Sequence, residues 1–144
     1  MLVQEKEENK ISRTIWNRYM HFDPKIKVYF EEKEENLNLD FDYLVKTDIS
    51  TFWDFDNLHR YIDELKNGPS YYLSETDILI PTIQNSENIE KHNPNKICVL
   101  DQENYKEKYF ENVIDLAEEN GVYQYKVKNP LFYQRLLDLI YFNN

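Results

Sequence analysis

Three consecutive segments decide the fold: residues 96–100 (KICVL), residues 104–119 (NYKEKYFENVIDLAEE) and residues 122–128 (VYQYKVK). The first is a short apolar run of the kind that forms a buried strand. In the second, Tyr109, Val113, Leu116 and Ala117 recur at helical spacing. That predicts an amphipathic helix with those four residues inward and Asn120-Gly121 closing it. The third reads as another strand. Strand, helix, strand within so short a span predicts a right-handed βαβ unit with parallel strands. Asn129 as cap and Pro130 at the first position then open a last helix through Phe142. Apolar on most faces, that helix is expected to lie inside the domain.

Working toward the N-terminus, residues 26–30 and 37–45 carry the clearest period-two signal. Ile26, Val28 and Phe30 alternate with Lys27 and Tyr29, and Leu37, Leu39, Phe41, Tyr43 and Val45 alternate with Asn38, Asp40 and Asp42. The pair predicts an antiparallel hairpin with a long charged loop over residues 31–36. Residues 11–20 predict a short amphipathic helix through Ile11, Ile15, Trp16 and Tyr19, ended by Asp23-Pro24. A second helix begins at Asp54 or Asp56, buries Phe55, Leu58, Ile62 and Leu65, and stops at Asn67-Gly68-Pro69. Residues 71–73 and 77–83 predict strands, with Pro81 at an edge or a bulge. Residues 84–95 lack periodicity and predict a loop. Residues 1–10 predict a frayed acidic lead-in, and residues 11–144 a single α+β domain. The expected architecture is a mixed sheet with an N-terminal antiparallel hairpin, a C-terminal βαβ-α unit and helices packed on the sheet.

Composition narrows the class. At 144 residues the chain is one domain long and can bury a core without staples. Its single cysteine, Cys98, forms no internal disulfide, which points to a reducing compartment, the cytoplasm. No stretch reads as a membrane span or a signal peptide. One alanine, two glycines and abundant Asn, Lys, Glu, Ile and Tyr are the usage of an AT-rich coding sequence, from a low-GC bacterium or a virus of one. The aromatic share, 15%, is high for so polar a chain and predicts an ordered fold. A net charge of −10 argues against direct nucleic-acid binding, which needs clustered Lys and Arg, and is compatible with a basic protein partner.

The motifs of the common nucleotide-binding, hydrolase, zinc-protease and thiol-redox folds are missing. Two glycines, Gly68 and Gly121, both read as helix stops, leave none for a phosphate-cradling loop. Neither a catalytic residue, nor a cofactor, nor a metal ligand is therefore assigned. Two weaker chemistries stay open. Asp40-Phe41-Asp42 and Asp54-Phe55-Asp56 are D-x-D pairs able in principle to hold a hard divalent cation, although Asp54 and Asp56 equally suit a helix cap. Cys98 with His21, His59 or His92 is the material of a covalent enzyme, although a mid-strand cysteine ordinarily behaves as a small buried hydrophobe.

Residues 31–64 concentrate the charge: eleven acids against Lys33, Lys46 and Arg60 carry −8 of the chain's −10. Phe41, Tyr43, Phe52, Trp53, Phe55 and Tyr61 share the stretch. An acidic surface with aromatic anchors suits the binding of a basic protein, the rings supplying desolvated contact and the carboxylates steering encounter. The expected surface is Glu31, Glu32, Glu34, Glu35, Asp40, Asp42, Asp54 and Asp56, with Trp53 as anchor. The alternative is that Phe52 and Trp53 are core and the acids a solvated face.

Small, acidic, glycine-poor, aromatic-rich and without active-site motifs, the chain resembles in profile the immunity proteins of bacterial toxin–immunity pairs and phage-encoded inhibitors of host defence. The resemblance is one of profile and carries no residue across. It implies a stoichiometric inhibitor that covers the groove of a basic, nuclease-type toxin or effector. A small metal- or cysteine-dependent enzyme, and a structural subunit docked through its apolar C-terminal helix, are the alternatives. A homo-oligomer is left open.

Overall fold

The computed structural model of this chain describes residues 1–4, 10–30, 42–64, 70–72, 78–81, 89–91, 97–100, 107–127 and 130–142. In chain order they form β1 (Leu2–Gln4), α1 (Lys10–Tyr19), β2 (Tyr29–Phe30), β3 (Tyr43–Asp48), β4 (Thr51–Trp53), α2 (Phe55–Glu64), β5 (Ser70–Tyr72), β6 (Ile78–Pro81), β7 (Ile89–Lys91), β8 (Ile97–Leu100), α3 (Glu107–Glu119), β9 (Gln124–Val127) and α4 (Pro130–Ile140). Together they make an α+β domain whose described strands lie in two sheets, ordered β2-β1-β3-β6-β5-β7 and β4-β9-β8.

The C-terminal half follows the sequence. β8 and β9 pair in parallel, from Ile97 opposite Gln124 to Leu100 opposite Val127, with α3 between them in the chain. Asn120-Gly121 ends α3 as expected. Gly121 takes φ 74°, and Val122 N donates to Ala117 O at 3.0 Å while Gly121 N donates to Glu118 O at 3.1 Å. Only glycine enters that left-handed turn without steric cost. α4 is central, with Tyr133, Leu136 and Leu137 in the core. The face of α3 departs from the reading. Phe110, Ile114 and Ala117 point inward, whereas Tyr109 and Leu116 are 52% and 61% exposed. The two candidate stripes are offset by about one residue, or ~100° of helix rotation, and packing on the sheet selects the one containing Phe110.

The N-terminal half carries the corrections. Leu2–Gln4, expected to fray, is a strand between β2 and β3, parallel to both, with Val3 fully buried. Residues 29–30 pair with β1, and residues 43–45, expected to pair with them in an antiparallel hairpin, belong to a strand held by β1 and β6; residues 31–41, the rest of that expected hairpin, lie outside the described ones. Alternation defines a strand's two faces but not its neighbour, and residues 31–36 hold no tight-turn dipeptide to fix a hairpin register. β3 lies between β1 and β6; Leu44 and Val45, on opposite faces, are both buried, and Lys46 and Asp48 are half-buried. β6 is internal as well. Its Pro81 sits at the end of the ladder, opposite Tyr43 and beyond the pairing with β5, where a missing donor costs little. Residues 89–91, expected in a loop, form β7 beside β5.

The core is aromatic. α1 places Ser12, Ile15, Trp16 and Tyr19 inward, and Trp16 Nε1 donates to Ile49 O at 2.8 Å. The ring of Tyr19 lies 4.6 Å from Phe52 and 4.9 Å from Tyr141. Buried tyrosine hydroxyls are satisfied by backbone: Trp53 N donates to Tyr19 Oη at 3.3 Å, and Tyr133 Oη donates to Ser50 O at 2.8 Å. Phe52 and Trp53, which miss the helical stripe of α2, belong to β4, antiparallel to β9 and buried at every position.

Candidate partner-binding surface

The expected surface separates into buried and exposed parts. Trp53 has no solvent exposure; its Nε1 donates to Thr47 Oγ1 at 3.3 Å and its ring stacks 6.1 Å from Tyr123. It is a core residue and anchors no partner. Asp54 is also buried. It caps α2, accepting from Asn57 N on Oδ1 at 3.1 Å and from Asn57 Nδ2 on Oδ2 at 3.3 Å, and its own N donates to Tyr123 O at 2.9 Å. Of the residues named from sequence, Asp42 and Asp56 are exposed. Glu31, Glu32, Glu34, Glu35 and Asp40 lie outside the described residues.

The D-x-D chemistry loses its second pair in this geometry, since both Asp54 oxygens already serve Asn57. Among the described residues no group of three His, Cys, Asp or Glu side chains could hold a metal ion. Burial pushes the Cys98 thiol up to about 11, away from the thiolate a nucleophile requires. His59 lies 2.6 Å, through Nε2, from Asp23 Oδ2. The other oxygen of Asp23 accepts from Lys25 N at 2.9 Å, so Asp23 holds the turn that follows α1. A cavity of about 330 Å³ adjoins this turn, lined by residues including Met20, His21, Asp23, Lys27 and Tyr29.

One titratable group was not singled out by the sequence. Glu118, half-buried in the last turn of α3, is pushed up to about 9, by burial first and then by its hydrogen bond to Asp54 and the charges of Asp54 and Asp56. Tyr125 Oη lies 3.5 Å from Glu118 Oε1. Glu118 thus stays protonated at neutral pH and ties the end of α3 to the cap of α2. A carboxylate in the last turn of a helix would also oppose the dipole. In the sequence Glu118 and Glu119 look alike, and only the packing of Asp54 and Tyr125 distinguishes them.

The described surface is dominated by acids. Asp42, Asp56, Asp63, Glu64, Glu111, Asp115, Glu119 and Asp138 are exposed. Several cations make contacts with their own domain. Arg13 covers the Phe30 ring at 3.3 Å, Arg18 Nη1 donates to Gln134 Oε1 at 3.2 Å, and Arg60 Nη1 donates to Asn57 Oδ1 at 3.3 Å. Lys126 Nζ donates to Thr51 Oγ1 at 2.8 Å, and Arg135 lies 3.6 Å from Glu111. Arg18 and Arg60 are themselves exposed, as are Lys25 and Lys27, so among the residues of described exposure the exposed carboxylates outnumber the exposed cations. No protein-family model, curated protein or solved structure matches this chain.

Among the described residues no helix is long and apolar enough to cross a membrane.

Proposed function

We propose that this protein is a cytoplasmic, acidic, protein-binding inhibitor of the immunity-protein or phage anti-defence kind. It neutralises a basic, nuclease-type partner by covering the groove meant for nucleic acid. The observation that carries the reading is the distribution of charge: a chain of net −10 holds Asp56, Asp63, Glu64, Glu111, Asp115 and Glu119 outward on α2 and α3, while Arg13 and Lys126 are half-buried in contacts of their own domain. Such a field speeds encounter with a basic surface and repels acidic competitors. Asp42 and Asp56, with Asp63 and Glu64, take the place of the anchor first sought at Trp53. The burial of Leu136 and Leu137 against their own domain weighs against the reading in which α4 docks the chain into a larger assembly.

The test is capture from the native host with the tagged protein at low and moderate salt, followed by an activity titration of what is captured. A single basic protein recovered near one-to-one, released as salt rises and losing its nuclease activity at stoichiometric inhibitor, is the expected outcome. A captured protein whose activity is unchanged at saturation contradicts inhibition. Failure to capture or inhibit any basic protein contradicts the reading as a whole.

A further inference from the structure

α3 shows solvent two adjoining strips that differ in chemistry. Tyr109, Val113 and Leu116 follow one another at i, i+4 and i+7, with Tyr109 52% and Leu116 61% exposed and Val113 half-buried between them. Glu111, Asp115 and Glu119 follow at i, i+4 and i+8 and are exposed on the neighbouring strip. The inward face is formed by Phe110, Ile114 and Ala117, and Tyr109 and Leu116 keep more than half of their surface open to solvent. Phe22 and Phe142, also exposed, lie 5.3 Å apart, with Arg18 5.4 Å from the Phe142 ring. A lone exposed apolar side chain is ordinary, but an aligned pair beside a ridge of like charge has the composition of a docking face, apolar contact with a charged border.

We propose that this flank of α3 docks the basic partner. The partner lays an apolar side chain against Tyr109 and Leu116 and sets Lys or Arg beside Glu111, Asp115 and Glu119. The proposal rests on the inhibitor reading above and names its contact surface. Charge selects the occupant. A second copy of this chain, meeting the flank about a two-fold axis, would bring one acidic ridge toward another at −10 per chain. A basic partner neutralises the ridge, although Glu111 must then share its carboxylate with Arg135, 3.6 Å away.

The test is an NMR titration of the isotope-labelled protein with a helical peptide of leucine and lysine, and with a peptide of equal charge whose leucines are serine. The expected result is that the leucine peptide binds about fivefold tighter or more, with shifts concentrated on residues 109–119. Leu116→Ser should weaken binding about fivefold with only a small loss of Tm, the cost of a poorer helix former at a largely exposed position. Equal binding of the two peptides, or shifts centred on Asp42 and Asp56, would overturn the α3 surface and leave the acidic-binder reading standing. No binding of either peptide to the folded protein would overturn both. Self-association in sedimentation experiments that Leu116→Ser abolishes would replace the basic partner by a second copy.

Discussion

The Tyr141 hydroxyl joins two backbone groups at the start of α2: it accepts from Phe55 N at 3.1 Å and donates to Trp53 O. The residue is half-buried, its hydroxyl serves both groups, and burial pushes its own ionisation far up. Tyr141→Phe keeps the ring and orphans both contacts. The expected loss is about 1–3 kcal/mol in urea denaturation, the cost of leaving buried polar groups unpaired. Glu118 controls a pH dependence. Its ordinary value is 4.5 and its value in the fold is about 9. Between those limits the folded state holds a proton that the unfolded chain releases, so rising pH favours unfolding. The contribution is present in full below 4.5 and lost as pH rises through about 9, with Asp54, Asp56 and Tyr125 as the facing groups. Glu118→Gln retains a donor toward Asp54 and cannot ionise. Its Tm should therefore exceed that of the parent increasingly above neutral pH, and a constant difference from pH 5 to about 9 would contradict the assignment.

At the scale of elements, α3 depends on its C-terminal turn. Gly121 at φ 74° closes that turn, and the Val122 N to Ala117 O bond of 3.0 Å follows from it. Gly121→Ala should cost about 1–2 kcal/mol, the penalty for placing a Cβ in the left-handed region, read as a drop in the urea midpoint at unchanged slope. Asn120-Gly121 was legible in the sequence because turn chemistry is local. So were the two strands flanking α3, whose short apolar runs mark burial. The inward face of α3 was not, since Tyr109/Val113/Leu116 and Phe110/Ile114/Ala117 are both acceptable stripes and only contact with the sheet chooses between them. β1 escaped for a related reason. Leu2 and Val3 precede a charged run, and a three-residue strand owes its existence to β2 and β3 on either side. Trp53 left a clue in its misfit to the helix that follows, and its partner strand, VYQYKVK, was already recognised. What lay beyond the sequence was the antiparallel pairing of Phe52 with Tyr125, 73 positions further along the chain, which draws both rings inward.

For the whole molecule, the aromatic content and the acidity serve different ends. The aromatic residues build the core, where Trp16, Tyr19, Phe52, Trp53, Tyr123 and Tyr125 are essentially without exposure. Among the described residues most acids remain outside, and the proposed function rests on them. Of the surface named from sequence, Asp42 and Asp56 keep a place, while Trp53 and Asp54 move to the interior because a strand pairing and a helix cap claim them. The most direct measurement is the association rate with the captured basic partner as a function of ionic strength, for the parent and for Asp42→Lys/Asp56→Lys. The parent rate should fall steeply with salt, and the variant should associate about tenfold more slowly at low salt, converging with the parent as screening increases. Rates that are equal and independent of salt would contradict the claim that the acidic surface is the functional one.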